Sequence, residues 1–113
     1  MHELGITKRI LDIALRTASE QKASKIKAVR LKVGEWTSIE PSCIEFYFTA
    51  IAVDTPAEGA SVIIERIPLE AKCIACGNPF VPTNLIFKCP GCGSPDVEIM
   101  SGREFFVESV EVE

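Results

Sequence analysis

Two short stretches, CIACG at residues 73–77 and CPGCG at residues 89–93, decide the fold of this chain. Each contains a C-x-x-C pair followed by glycine, a residue that lets the backbone turn tightly so that amide groups can point at the sulfurs. Two such pairs, separated by residues 78–88, are typical of a zinc ribbon in which four thiolates hold one ion. Structural zinc is the favoured occupant, and a single rubredoxin-like iron is the alternative. The predicted ligands are Cys73, Cys76, Cys89 and Cys92.

Disulfide bonds and unconnected core cysteines are the competing interpretations. The N-terminus does not resemble a signal peptide, so we expect a reducing, cytoplasmic compartment in which structural disulfides are uncommon. Hydrophobic residues make up 47% and charged residues 25% of the 113 residues, as in soluble globular proteins. No apolar run approaches the length that a membrane span needs. We therefore predict a cytoplasmic metal-binding protein without a membrane segment.

The charge of the chain is unevenly distributed. Residues 1–34 carry eight Lys or Arg against three Asp or Glu, whereas residues 35–113 carry four against thirteen. A zinc ribbon that binds nucleic acid needs cations to neutralise phosphates, and Lys88 is the only one between the first and last of the four cysteines. This charge pattern disfavours a nucleic-acid partner.

Hydrophobic periodicity predicts two helices and three strands. Residues 4–22 form an amphipathic pattern, and a second helix should begin at Pro41 and end before Asp54. Alternation or β-branched content predicts strands over 26–34, 62–69 and 104–112, with a possible bulge near Glu108 in the last.

These elements predict an α+β fold with two helices on one face of a small three-stranded mixed sheet and an inserted zinc-ribbon lobe. Strands 26–34 and 62–69 should be parallel, because a helix connects them. Since both C-x-x-C pairs meet at one ion, we expect strands 62–69 and 104–112 to be antiparallel neighbours. The expected domains are residues 1–70 plus 101–113, and the zinc ribbon over 71–100.

The chain offers little for catalysis. His2 is its only histidine, so neither a catalytic zinc with the usual ligands nor a serine or cysteine nucleophile with a histidine base has an evident residue set. The carboxylates show no spacing that marks an acid–base pair. We predict that the protein is not an enzyme.

His2 suggests a different chemistry. The α-amine of a retained Met1, the backbone nitrogen of His2 and its imidazole can chelate one ion, with Glu3 next in line through its backbone nitrogen or carboxylate. Nitrogen-rich square-planar coordination favours Ni(II) or Cu(II) over zinc. The alternative is that this histidine has no role, since any protein can carry histidine after Met1.

Several motifs together resemble the HypA family of hydrogenase-maturation nickel metallochaperones. They are MHEL at residues 1–4, Pro41 followed by Phe46 and Phe48, Asp54-Thr55, EGA at residues 58–60, and the two C-x-x-C-G stretches. Each is weak or generic by itself, but their order and distances are specific over nearly the full chain.

The resemblance implies that His2 is the principal nickel ligand, assisted by the Met1 amine and the backbone nitrogens of His2 and Glu3. Glu40 occupies the position of an acidic residue that some relatives place near the nickel, so it is a weaker candidate. The resemblance also implies a structural zinc on the four cysteines. Unlike some relatives, this chain has no histidine near that site, which predicts an all-thiolate site.

The partners are likewise implied by the resemblance alone. Family members cooperate with the HypB GTPase to load nickel into the large subunit of [NiFe]-hydrogenase, and some serve urease maturation. Other function classes stay open at this point: a zinc-ribbon adaptor, a nucleic-acid-binding module and a rubredoxin-like electron carrier.

Overall fold

The computed structural model of the chain describes residues 3–113 and forms two helices and six strands over that range. The helices are α1 (Glu3–Glu20) and α2 (Pro41–Ile51). The strands are β1 (Ile26–Gly34), β2 (Ser61–Ile67), β3 (Glu70–Cys73), β4 (Pro79–Phe80), β5 (Val97–Ser101) and β6 (Phe105–Val112). They form two three-stranded sheets with the orders β2-β1-β6 and β4-β3-β5.

The first sheet carries both helices. β1 is parallel to β2, with Val29 opposite Val62, and antiparallel to β6, with Leu31 opposite Val107. Apolar side chains of all three strands pack with those of α1 and α2 in one core. This confirms the predicted α+β fold, with two helices on one face of a mixed sheet.

The strand order corrects one expectation. β2 and β6 are not neighbours, because β1 lies between them. Val29, Leu31 and Val33 of β1 are fully buried. The centre of the sheet removes the most apolar surface from water, so this strand is most stable there. The end of β1 bonds both flanking segments: the Glu35 N–H donates to Ile67 O (2.8 Å) and the Gly34 N–H to Glu104 O (2.7 Å). The chain leaves the first sheet near Ile67 and re-enters it near Glu104, and these two points are close together. They lie on opposite sides of β1, so β2 and β6 are separated by that strand.

The predicted bulge in the last strand is confirmed. Arg30 lies opposite Ser109 and Leu31 opposite Val107, so Glu108 is the extra residue of β6. Its carboxylate lies 3.1 Å from Lys32 Nζ, which also lies 2.7 Å from a carboxylate oxygen of Glu65. One ion-pair network therefore spans the three strands on the face away from the helices.

The two helices begin close to each other. α1 starts at Glu3 and ends at Glu20, two residues before the predicted end. α2 starts at Pro41 as predicted, after Glu40, whose carboxylate accepts a hydrogen bond from the Ser42 N–H and caps the helix. The fully buried Phe48 anchors α2 in the core.

The second sheet was not predicted, because β3 and β4 have only four and two residues and their pattern is too short to recognise. β3 pairs with β4 on one side and β5 on the other. The Trp36 and Phe87 rings, 5.1 Å apart, connect this sheet's loops to the end of β1. The domain boundaries given above stay a prediction.

Candidate metal centre

The four predicted zinc ligands come together beside the second sheet. Their Sγ atoms all lie within 4.8 Å of one another. The first cysteine of each pair, Cys73 or Cys89, is buried, and the second, Cys76 or Cys92, is exposed. The site therefore has a protected side and a side that faces solvent.

The two C-x-x-C-G segments have the same local structure. In each, the glycine N–H donates a 2.8 Å hydrogen bond to the carbonyl of the first cysteine: Gly77 to Cys73 and Gly93 to Cys89. Both glycines have φ near +78°, a conformation that other residues adopt at a cost. The sequence requirement for glycine after each pair is thus explained by the turn.

The backbone of these turns also points at sulfur. The Cys76 N–H donates to Cys73 Sγ at 3.4 Å, and the Cys92 and Gly91 N–H groups donate to Cys89 Sγ at 3.4 and 3.3 Å. The Cys92 N–H lowers the pKa of Cys89 to about 6, with the Gly91 N–H acting in the same direction against the effect of burial. This donor pattern stabilises a thiolate.

The neighbouring sulfurs oppose ionisation of the Cys76 thiol. For Cys76, the lowering effect of the Asn78 backbone is outweighed by the neighbouring sulfurs of Cys73 and Cys89, and its pKa rises to about 12. A divalent ion removes this conflict, because it is bound by thiolates and displaces their protons. The electrostatics of the cluster therefore suit a metal ion.

The sulfur positions fit a tetrahedral ion. Cys73 Sγ and Cys92 Sγ are 3.5 Å apart, and Cys76 Sγ and Cys89 Sγ are 3.6 Å apart. Four sulfurs about 2.3 Å from one zinc would be separated by about 3.8 Å, whereas a disulfide bond is about 2.05 Å long. All five cysteines are free in the structure, and these sulfur separations favour a metal site over disulfide bonds.

Sequence reasoning missed a polar side chain at this site. Asn78 Nδ2 lies 3.9 Å from Cys89 Sγ, and the Asn78 carbonyl accepts a 2.9 Å bond from the Cys73 N–H. Ser94 holds the equivalent place after the second pair, and its carbonyl accepts from the Cys89 N–H at 3.0 Å. Asn78 and Ser94 each come directly after the glycine of a C-x-x-C-G segment, and this shared position is the sequence signal that could have identified them.

Of the four candidate nickel residues, the structure describes Glu3 and Glu40. Met1 and His2 lie outside the described residues. Glu3 and Glu40 are brought together: the Glu40 N–H donates to Glu3 Oε2 at 3.4 Å, and the Glu40 carboxylate accepts from Ser42 N–H and Oγ at 3.3 and 3.0 Å. Two acidic residues far apart in sequence thus meet where both helices begin.

Comparison with known proteins identifies the family. A family model described as "Hydrogenase/urease nickel incorporation, metallochaperone, hypA" matches residues 1–112. The chain belongs to the HypA family. It is 40% identical to the hydrogenase maturation factor HypA of Caldanaerobacter subterraneus subsp. tengcongensis over 100% of both chains. It is 42% identical to HypA of Desulfatibacillum aliphaticivorans, over 99% of this chain and 87% of that protein.

Solved HypA structures have the same fold. One solution structure of a HypA protein matches 100% of this chain and 97% of its own with a TM-score of 0.75 and 25% identity. The solution structure of the Ni metallochaperone HypA from Helicobacter pylori matches with a TM-score of 0.65 at 24% identity, covering 99% of this chain and 97% of that one. The latter likeness concerns the fold alone.

Membership of the HypA family has two consequences, one for activity and one for partners. The family comprises nickel-incorporation metallochaperones and maturation factors, not catalysts. Its role implies partners in hydrogenase maturation. Within residues 3–113, neither helix has the length and apolar character that crossing a bilayer requires.

Proposed function

We propose that this protein binds Ni(II) at its N-terminus and delivers it during maturation of [NiFe]-hydrogenase, while zinc on the four cysteines has a structural role. The observation that carries this proposal is the match of residues 1–112 to the nickel-incorporation family. The sulfur separations and their fit to a tetrahedral ion support the zinc assignment.

The two sites would differ in how readily they exchange metal. Four thiolates on paired turns close the coordination sphere, so zinc would be retained as part of the folding free energy. The proposed nickel ligands are the Met1 amine, the His2 imidazole and backbone nitrogen, and the Glu3 backbone nitrogen. A site at a chain terminus leaves room for an incoming ligand, so a partner could take nickel by replacing the imidazole. Protonation of that imidazole would weaken nickel binding as pH falls.

The acidic residues at the helix starts suggest a supporting role. Because the Glu3 carboxylate accepts from the Glu40 N–H, it ties the beginning of α1 to the cap of α2. We propose that Glu3 supplies its backbone nitrogen to nickel and that its carboxylate fixes the segment next to the ion. Glu40 stays a weaker candidate that acts from the neighbouring cap.

The proposed partners are the HypB GTPase and the large subunit of [NiFe]-hydrogenase, with urease maturation proteins as a further possibility. We propose that delivery takes place in the cytoplasm and involves neither membrane nor nucleic acid. The acidic balance of residues 35–113, four Lys or Arg against thirteen Asp or Glu, supports the exclusion of nucleic acid.

Equilibrium dialysis of untagged protein against Ni(II) tests the proposal, with nickel and zinc counted on the same samples. We expect one nickel and one zinc per wild-type chain, and His2→Ala should lose nickel while retaining zinc. Glu40→Ala should weaken nickel binding modestly. Glu45→Ala is its matched control, because Glu45 is also an exposed acidic residue near the start of α2.

The metal counts separate the possible results. Nickel binding that survives His2→Ala contradicts the N-terminal site and leaves a zinc-ribbon adaptor. Loss of zinc in the same variant contradicts the separation of the two sites. Iron in place of zinc, visible as red protein with a reversible redox couple, would support the electron-carrier alternative.

A further inference from the structure

A groove of about 460 Å³ lies between α1 and β6 at the edge of the first sheet. Six of the seven residues that line it are apolar, among them Ile6, Ile10 and Ile13 of the helix and Phe105 of the strand, and the seventh is Arg9. Ile13, a large apolar residue, is 43% exposed. The groove therefore leaves apolar surface open to solvent next to a strand edge.

That edge is available for pairing. Within residues 3–113, β6 pairs with β1 and with no other strand. Its sequence, FFVESVEV, contains neither proline nor lysine, and the bulge at Glu108 lies beyond Phe105 and Val107, the residues of the strand beside the groove. Eight residues of strand with an adjacent apolar groove suit the addition of an extended segment from another chain.

The charges around the groove select the occupant. Arg9 and Arg16 flank Ile13 at helical spacings of four and three residues, so the three lie on one side of α1. Neither arginine forms an ion pair with any residue that the structure describes. A strand added to β6 would turn alternate side chains toward this side of the helix, where acidic and apolar residues would be complementary.

We propose that the β6 edge and this groove bind an extended segment of a partner protein, with acidic and apolar side chains turned toward α1. On the opposite side the same segment would meet Phe106 and Glu111, both exposed, so polar or basic residues suit its other face. The partner segment is thus an alternating strand with a different charge on each face.

A second copy of this chain fits the edge less well. Antiparallel pairing of two β6 strands would bring Glu108 and Glu111 of both copies onto one face, where like charges repel. On the other face each copy would present the same Arg9 and Arg16. The surface is therefore assigned to a different protein, and its binding does not depend on the nickel ligands.

A synthetic eight-residue peptide tests this assignment. The probe is Thr-Ile-Lys-Asp-Thr-Ile-Lys-Asp with blocked ends, which places Ile and Asp on one face and Thr and Lys on the other. Titration into ¹⁵N-labelled protein should shift amide resonances of β6 and of the groove side of α1. Arg9→Glu should weaken binding about tenfold, since a favourable charge contact becomes repulsive.

Two controls make the result specific. Lys8→Glu makes the same charge change on the adjacent exposed residue, which does not line the groove, and should leave peptide binding within about twofold. A peptide with proline at its two central positions should not bind, because proline blocks strand pairing.

The assignment is overturned if resonances do not shift at millimolar peptide, or if they shift away from β6 and α1. Equal weakening by both charge reversals would also overturn it. Concentration-dependent dimerisation through β6 without peptide would show instead that a second copy occupies the edge. None of these readouts involves nickel, so failure here is distinguishable from failure of the proposed nickel site.

Discussion

The helix-covered sheet (α1, α2, β1, β2 and β6) and the cysteine lobe (residues 70–101) each contain three strands, but their sources of stability differ. The first buries a continuous apolar core that includes Ile44 and Phe48. In the lobe, only Ala71, Cys73 and Cys89 are buried, while Val81, Leu85 and Ile86 are more than half exposed. A sheet that buries so little apolar surface needs a cross-link, and the cysteine cluster provides the ligands for one.

Metal removal should have the largest effect, and only on the cysteine lobe. Chelation, or the substitution Cys73→Ser, should unfold the lobe, because structural zinc contributes on the order of 10 kcal/mol in small metal domains. Amide NMR spectra should lose the dispersed resonances of β3, β4 and β5 and keep those of the helix-covered sheet. Trp36, the only tryptophan, should report the loss of its Phe87 contact by a change in fluorescence.

Cys43→Ser is the matched control for metal removal, since Cys43 is the one cysteine outside the cluster. It should keep the zinc content and the lobe resonances. Simultaneous unfolding of both sheets on chelation would show that the two regions are stabilised as one unit.

Phe48→Ala should have the next largest effect, on the helix-covered sheet. This side chain is 1% exposed, and truncating a buried phenylalanine costs about 3–5 kcal/mol in the free energy of unfolding. Urea denaturation followed by helix circular dichroism measures the loss. Phe46→Ala is the control, because Phe46 on the same helix is 70% exposed and its truncation should change the stability by less than about 1 kcal/mol. Equal losses would contradict the assignment of the core.

Glu104→Gln should have the smallest effect, at the junction between the two regions. The backbone N–H groups of Glu104 itself and of Gly102 lower the pKa of the Glu104 carboxyl, and Gly102 N lies 2.6 Å from Oε1. A lowered pKa in the folded state adds stability above the usual glutamate pKa, and this stability is lost as pH falls through the folded value. Wild type should therefore be slightly more stable than the variant at pH 7, and the difference should shrink below about pH 4.

Urea midpoints measured across this pH range test the last prediction. Glu111→Gln serves as the control, because Glu111 is an exposed carboxylate for which the structure gives no comparable backbone donors. A difference between wild type and Glu104→Gln that grows on acidification would contradict the sign of the pKa shift.

Local patterns predicted most of the individual elements. The helix from Pro41, the strand over 26–34 and the bulge at Glu108 were all recognised, because each depends on neighbours within a few residues. The order of the sheet was predicted wrongly. Because the chain leaves the first sheet for the cysteine lobe and returns nearby, strands 62–69 and 104–112 were expected to be adjacent. Strand order also depends on which strand is apolar enough for the central position, and that strand is β1.

The four cysteines were predictable because metal-ligand spacing is a local property. No local pattern predicted the contact between Glu3 and Glu40; only the family resemblance placed Glu40 near the nickel residues, since a contact across 37 residues depends on how α1 and α2 pack. The same is true of Trp36 and Phe87, whose contact joins segments that only the tertiary structure brings together.

The sequence by itself determined the chemical groups of this protein: four cysteines at zinc-ribbon spacing, a single histidine at position 2, and the motifs shared with the HypA family. These follow from residue type and short-range spacing, which the chain fixes before it folds. Tertiary structure alone decided that β1 separates β2 from β6, that two acidic residues meet at the helix starts, and that one edge of β6 stays open beside an apolar groove. Those arrangements depend on how much apolar surface the whole core buries, and a local sequence pattern does not determine that total.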